Sequence, residues 1–223
     1  MVLSKVREML FARRDSEYAR FIIKLTPGLD EKTVIGVRSP DLKEIYKALD
    51  GDERSEFIRA LPHGFYEENN LHSLIISHMK DEEECIAALD RFLPYIDNWA
   101  TCDTVSPAVF KRHKDLLTRK TEEWIKSDRV YTVRMAVGLL MKYYLDGDFS
   151  VRYNDMVKNV VSDQYYVNMM CAWYFATALA KQYESTVPYL PCLNDTVRKM
   201  TVRKASESYR ISPERKEYIK SFK

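Results

Sequence analysis

The chain has 223 residues, 46% of them apolar and 30% charged, a balance that excludes disorder and allows one sizeable core. Only 6 Gly and 8 Pro are present, too few for the tight turns of sandwiches, barrels and Gly-rich nucleotide-binding folds. The net charge of +2 conceals an asymmetry: Arg198 to Lys223 carries nine basic against three acidic residues, which leaves the rest of the chain at −4. Clustered positive charge on a mildly acidic chain suits a binder of phosphate backbones; a solvated lysine-rich helix gives the same count.

In chain order, Leu3, Val6, Met9 and Leu10, then Ala19, Ile22 and Ile23, recur at the spacing of an amphipathic helix, and Thr26-Pro27-Gly28 breaks it. Ser39 suits an N-cap, Pro40 the first helical position, and Asp41 and Glu44 complement the helix dipole. Leu42, Ile45, Tyr46 and Leu49 form the apolar face of that helix. The pattern predicts further helices over 53–61, 65–79, 82–93, 98–113, 115–126, 129–145, 151–161, 164–183, 195–209 and 213–222, joined by short connections. No stretch approaches the roughly 18 uninterrupted apolar residues of a membrane span, and the opening residues MVLSKVREMLFARR place charges where a signal peptide needs its apolar core. The expected location is therefore cytoplasmic. Cysteines 85, 102, 171 and 192 lack metal-ligand spacing and read as small apolar fillers. Histidines 63, 72, 78 and 113 are scattered, with His72 and His78 on different helix faces, so no metal is expected.

An internal repeat sits within this series. Trp124-Ile125-Lys126-Ser127-Asp128-Arg129-Val130-Tyr131 aligns, 35 residues on, with Asn159-Val160-Val161-Ser162-Asp163-Gln164-Tyr165-Tyr166. Each copy is a helix end, a Ser-Asp cap and the start of a longer helix; a looser copy surrounds Ile96-Asp97-Asn98-Trp99. Helix pairs at this period mark an α-solenoid. The expected architecture is all-α: a right-handed α-solenoid of HEAT-like antiparallel helix pairs with a concave groove, in one domain over 1–223.

Four residues could perform chemistry in such a groove. Trp99 and Asp103 are four apart and share a helix face; Arg134 opens the next long helix and Trp173 lies in the one after it. Each has an ordinary alternative: a core indole, a surface carboxylate, an inter-repeat arginine. Trp124 reads as core, and Tyr143, Tyr144, Tyr165, Tyr166, Tyr174 and Phe175 read mostly as inter-repeat packing. Candidate phosphate contacts are Lys111, Arg112 and Lys114 in the smaller basic run and Arg198, Arg203, Lys204 and Arg210 in the larger.

Ile35-Gly36-Val37-Arg38-Ser39-Pro40-Asp41-Leu42-Lys43, Phe65-Tyr66-Glu67-Glu68, the Trp99 and Asp103 pair, Arg134, Trp173 and the stretch Thr201 to Ile211 occur in the order of the AlkD-like DNA alkylation repair glycosylases, which the chain resembles over most of its length. The resemblance implies hydrolysis of the N-glycosidic bond of cationic N3- or N7-alkylated purines in double-stranded DNA, by a monomer without cofactor or metal and without a base-flipping pocket. It assigns Asp103 to stabilising the sugar cation and placing water, Trp99 and Trp173 to packing on deoxyribose and lesion, and Arg134 to a phosphate or to the carboxylate. Met169 and Ala176 stand where well-studied members have a lysine and an arginine, and Ala100 follows Trp99 in place of an aromatic or an acid. A HEAT-like scaffold that binds nucleic acid or protein with weak or no catalysis is the alternative.

Overall fold

The computed structural model describes residues 1–223, all of them in helices or their connections, with no strands. It divides into two compact units, Met1–Leu116 and Leu117–Lys223. Within each, helices pack mainly on near neighbours in sequence, the all-α pairing of an α-solenoid.

The first unit contains α1 (Val2–Phe11), α2 (Ser16–Leu25), α3 (Ser39–Ala48), α4 (Gly51–Arg59), α5 (Tyr66–Ser77), α6 (Glu82–Phe92) and α7 (Trp99–Thr104). Its main core joins Val6 and Leu10 of α1, Ile45 and Leu49 at α3, Phe57 of α4 and Leu71 of α5. Each such fully buried side chain contributes about 1.5–3 kcal/mol. The periodicity from Leu3 to Ile23 resolves into two helices, because Asp15 caps α2 by accepting from the Glu17 and Tyr18 amides at 3.0 and 2.9 Å. Arg38 takes the N-cap of α3, with Ser39 already inside the helix. The single helix expected over 98–113 is instead α7 and a 3-10 turn, Ala108–Lys111. Pro107 causes the break: it has no amide to donate and disfavours helical geometry at Ser106.

Helix α5 is polar where it is most buried. Glu67 and Glu68 are wholly inaccessible. Glu67 accepts from the amides of Ile35, Gly36 and Val37 at 3.0, 2.7 and 3.2 Å. Burial nonetheless lifts its carboxyl above the ordinary carboxylate range, against the pull of those three donors. Glu68 accepts from Arg7 Nε and the Gly64 amide, both at 2.7 Å, and from the Phe65 amide at 3.0 Å. Gly36 meets Glu67 with φ +91°, and a Cβ there would lie 2.1 Å from the Asp15 carbonyl oxygen. The Gly36-Val37-Arg38 and Phe65-Tyr66-Glu67-Glu68 segments are thus the two sides of one structural clamp.

In the second unit, which takes all but the first two residues of α8 (Asp115–Trp124), α9 (Val130–Tyr143), α10 (Val151–Lys158), α11 (Tyr165–Lys181) and α12 (Tyr183–Thr186) precede α13 (Asp195–Glu207) and α14 (Pro213–Lys220). The most extensively packed helix is α11, which lies between α9 and α13. Its Ala172, Ala176 and Ala178 are buried, so small side chains allow the backbones to approach. Asn154 Oδ1 of α10 accepts from the buried Tyr174 hydroxyl at 2.9 Å. Trp124 is core as expected, as are Tyr143, Tyr144, Tyr174 and Phe175, whereas Tyr165 is exposed. Cys85, Cys102 and Cys171 are buried fillers; Cys192 is exposed because it ends a 3-10 turn, Val187–Cys192, at the surface, and so departs from that expectation.

His63 and His72 form a pair that scattered numbering conceals. His63 Nε2 and His72 Nδ1 are 2.8 Å apart, with His63 stacked on Phe57 and His72 on Phe92. Burial lowers His63 to about 4 and His72 to about 2. Below about pH 6.5 the unfolded chain binds protons that the folded pair refuses, so stability present above that pH is lost as pH falls toward 4.

Gly36→Ala lowers stability by about 3 kcal/mol or more in urea unfolding. Gly28→Ala, at φ +92° but in open space, costs about 1–2 kcal/mol. Between pH 6.5 and 4 unfolding free energy falls by up to about 1.4 kcal/mol per pH unit for each histidine. A His63→Leu/His72→Phe double variant unfolds at urea midpoints that differ less between pH 7 and pH 5 than those of wild type.

Candidate active site

Asn98 starts α7: its Oδ1 accepts from the Thr101 amide at 2.8 Å. The helix then runs for only six residues. Trp99 and Asp103, one turn apart, are both half-buried, while Thr101 and Cys102 between them face inward and are buried. That inward side is tied to α5, whose Asn70 Oδ1 accepts from the Thr101 hydroxyl at 2.9 Å. The Ser77 hydroxyl of α5 accepts from the Ser106 amide at 2.9 Å, just beyond the helix. The expected one-face placement of indole and carboxylate is thus present within the first unit. Ala100 packs against the small cluster of Ala19, Ile22, Val34 and Tyr66, a role that a larger residue would disturb.

Arg134 and Trp173 belong to the second unit. Arg134, the fifth residue of α9, is only 4% exposed. It donates from a terminal nitrogen to the Tyr166 carbonyl oxygen at 2.7 Å, and its guanidinium lies 6.0 Å from the Tyr166 ring centre. Its charge is therefore held within the protein at the first turn of α11, and the ring and backbone around it fix its direction. Trp173 is the opposite case, an indole 40% exposed on a helix whose neighbouring positions Cys171, Ala172, Tyr174 and Phe175 are buried.

Beside Trp173 opens a cleft of about 200 Å³, bordered also by Ala176, Thr177, Lys204, Glu207 and Arg210. Lys204 Nζ stands 5.4 Å from the Trp173 ring centre. The structure thus brings together three of the expected residues, Trp173, Lys204 and Arg210. It also shows where cations sit in this chain: with Met169 and Ala176 on α11, the positive groups at this indole come from α13 and the turn after it. Arg203 is exposed and pairs with Glu207 at 3.3 Å.

Other expected contacts are placed differently. Arg198 gives Nε to the Phe222 carbonyl oxygen at 3.2 Å and its terminal nitrogens to Leu193 O at 3.1 Å and Asp195 Oδ1 at 2.6 Å. These bonds make it a clamp for the C-terminus, away from the Trp173 cleft. Lys111 and Arg112 are exposed around the 3-10 turn after α7, and Lys114 is half-buried. Sequence reasoning missed Asn70 and Thr101, because polar residues inside a predicted helix look like its solvent side. No cluster of three or more His, Cys, Asp or Glu side chains could hold a metal, and no helix is long and apolar enough to cross a membrane.

The sequence has a counterpart among known families. A family model described as DNA alkylation repair enzyme matches residues 5–209, a span that includes both units and all of Trp99, Asp103, Arg134 and Trp173. No curated protein matches the chain significantly. With most of its length matched, the chain belongs to the DNA alkylation repair enzyme family.

Proposed function

We propose that this protein is a DNA glycosylase that hydrolyses the N-glycosidic bond of N3- or N7-alkylated purines in duplex DNA, acting as a cytoplasmic monomer without cofactor and without a base-flipping pocket. The observation that carries the reading is the half-exposed Trp99 and Asp103 pair on one side of α7, in a chain matched by the alkylation-repair family over 5–209. Alkylation at N3 or N7 makes the purine cationic, so the base departs without a general acid. The bond from the sugar C1′ breaks with its electron pair leaving on the base, which becomes neutral. The sugar develops oxocarbenium character, and water adds to C1′ as its proton passes to Asp103 or to solvent. A carboxylate at Asp103 stabilises that positive charge and orients the water. The faces of Trp99 and Trp173 attract a cationic base or sugar. Arg134, anchored on Tyr166 O, supplies a fixed charge with donors in a planar fork.

Phosphates fall to the exposed and half-buried cations. Lys204 and Arg210 beside Trp173, with Arg203 nearby on α13, serve one stretch of backbone, and Lys111, Arg112 and Lys114 another. One observation favours the scaffold reading: α11 carries Met169 and Ala176 where the family resemblance leads one to expect a lysine and an arginine. Lys204 of α13 and Arg210 of the turn after it stand at the same indole and offset that loss.

Wild-type protein is expected to release 7-methylguanine or 3-methyladenine from methylated duplex DNA, and Asp103→Asn to slow release by roughly 100-fold or more. Duplex binding with no release supports the scaffold. Lys204→Met and Arg210→Ala each reduce the slope of log affinity against log salt by about 0.9. Arg198→Ala leaves that slope unchanged and lowers the unfolding midpoint.

A further inference from the structure

The strongest unassigned feature is the polar layer beneath α7. A six-residue helix cannot hold its own shape, since isolated helices shorter than about 12–15 residues are marginal in water. Where a core helix would bury aliphatic side chains, α7 buries a hydroxyl. Thr101 is wholly inaccessible. Its hydroxyl donates to Asn70 Oδ1 of α5 at 2.9 Å and accepts from Asn98 Nδ2 at 3.1 Å. Asn98 Nδ2 also donates to Asp97 Oδ1 at 2.8 Å. The Ser73 hydroxyl donates to the Thr101 carbonyl oxygen at 3.4 Å, a long bond that adds to the same attachment.

Apolar contact is tolerant of rotation, whereas hydrogen bonds between buried groups are directional and costly to leave unmade. A 20° turn of α7 about its axis would move a side-chain end by about 2 Å, given a helix diameter of roughly 10–12 Å. We infer that Thr101 and Asn70 are positioning residues: through Thr101's hydroxyl they fix the rotation of α7 and with it the direction in which Trp99 and Asp103 face the alkylated nucleotide. The inference rests on the glycosylase reading for its chemistry, and on the α5–α7 geometry alone for its mechanics.

Thr101→Val keeps the shape and removes both hydroxyl bonds, while Thr101→Ser keeps the hydroxyl and loses a methyl group. The experiment measures release of 7-methylguanine from methylated duplex by the full chain, urea unfolding, and 19F spectra of protein labelled with 5-fluorotryptophan at its three tryptophans. In Thr101→Val kcat falls about 10- to 100-fold with KM changed less than about twofold, and the Trp99 resonance shifts. Thr101→Ser retains both the wild-type kcat and the Trp99 resonance, even where its unfolding midpoint drops. A Thr101→Val protein with wild-type kcat and an unmoved Trp99 resonance overturns the inference. So does a loss of kcat that tracks the unfolding midpoint equally in both variants, which marks a merely structural role. If wild type releases no base, the glycosylase reading fails, and the Trp99 resonance still decides whether the hydroxyl orients α7.

Discussion

Buried polar groups on one helix organise the first unit. Three residues of α5, Glu67, Glu68 and Asn70, lie within four positions of one another and each reaches a different segment: the 35–37 turn, the 64–65 turn with Arg7, and α7. A carboxylate or amide out of water is tolerable only when its lone pairs find donors. These three side chains therefore demand the surrounding geometry. Gly36 satisfies the demand in backbone conformation, and Thr101 satisfies it in hydroxyl chemistry. The cost of burying charge is offset by five backbone amides and a guanidinium supplied to Glu67 and Glu68.

This arrangement links fold and function by an economical route. Trp99 and Asp103 are half-buried on α7. The buried side of that helix is tied to α5 through the Thr101 hydroxyl. The second unit solves the same problem by different means. There α11 is locked between α9 and α13 by close packing over alanines, which leaves Trp173 as the indole at a cleft edge. Arg134 is fixed by a backbone carbonyl and an aromatic ring.

Much of this was legible in the residues. Helical class, most helix positions and the core role of Trp124 follow from three- and four-residue periodicity, which responds directly to burial. The four-residue spacing placed Trp99 and Asp103 on one side of α7, because that spacing is set by helix geometry alone. What escaped depended on partners distant in sequence. His63 and His72 meet because a turn folds back over α5, and no helical face predicts it. Glu67 and Glu68 look like an exposed first turn, yet Glu67 serves residues 35–37, separated from it in sequence by α3 and α4, and Glu68 reaches Arg7 as well as the adjacent 64–65 amides. Arg198 counted as one more cation in a basic tail, and only its three acceptors reveal a clamp. The break at Pro107 was visible in principle, and the apolar pattern running through it obscured a local rule that outweighed it.

The proposed glycosylase relies on Trp99, Trp173 and Asp103, with the cations beside Trp173 supplied by Lys204 of α13 and Arg210 of the turn after it. A crystal structure of the protein with a duplex that carries 7-methylguanine on a hydrolysis-resistant 2′-fluoro sugar tests this most directly. On the glycosylase reading the modified sugar lies within about 4 Å of the Asp103 carboxylate and of the Trp99 ring, with Lys204 turned to a phosphate. A lesion bound elsewhere, or Asp103 facing solvent away from the sugar, would contradict it.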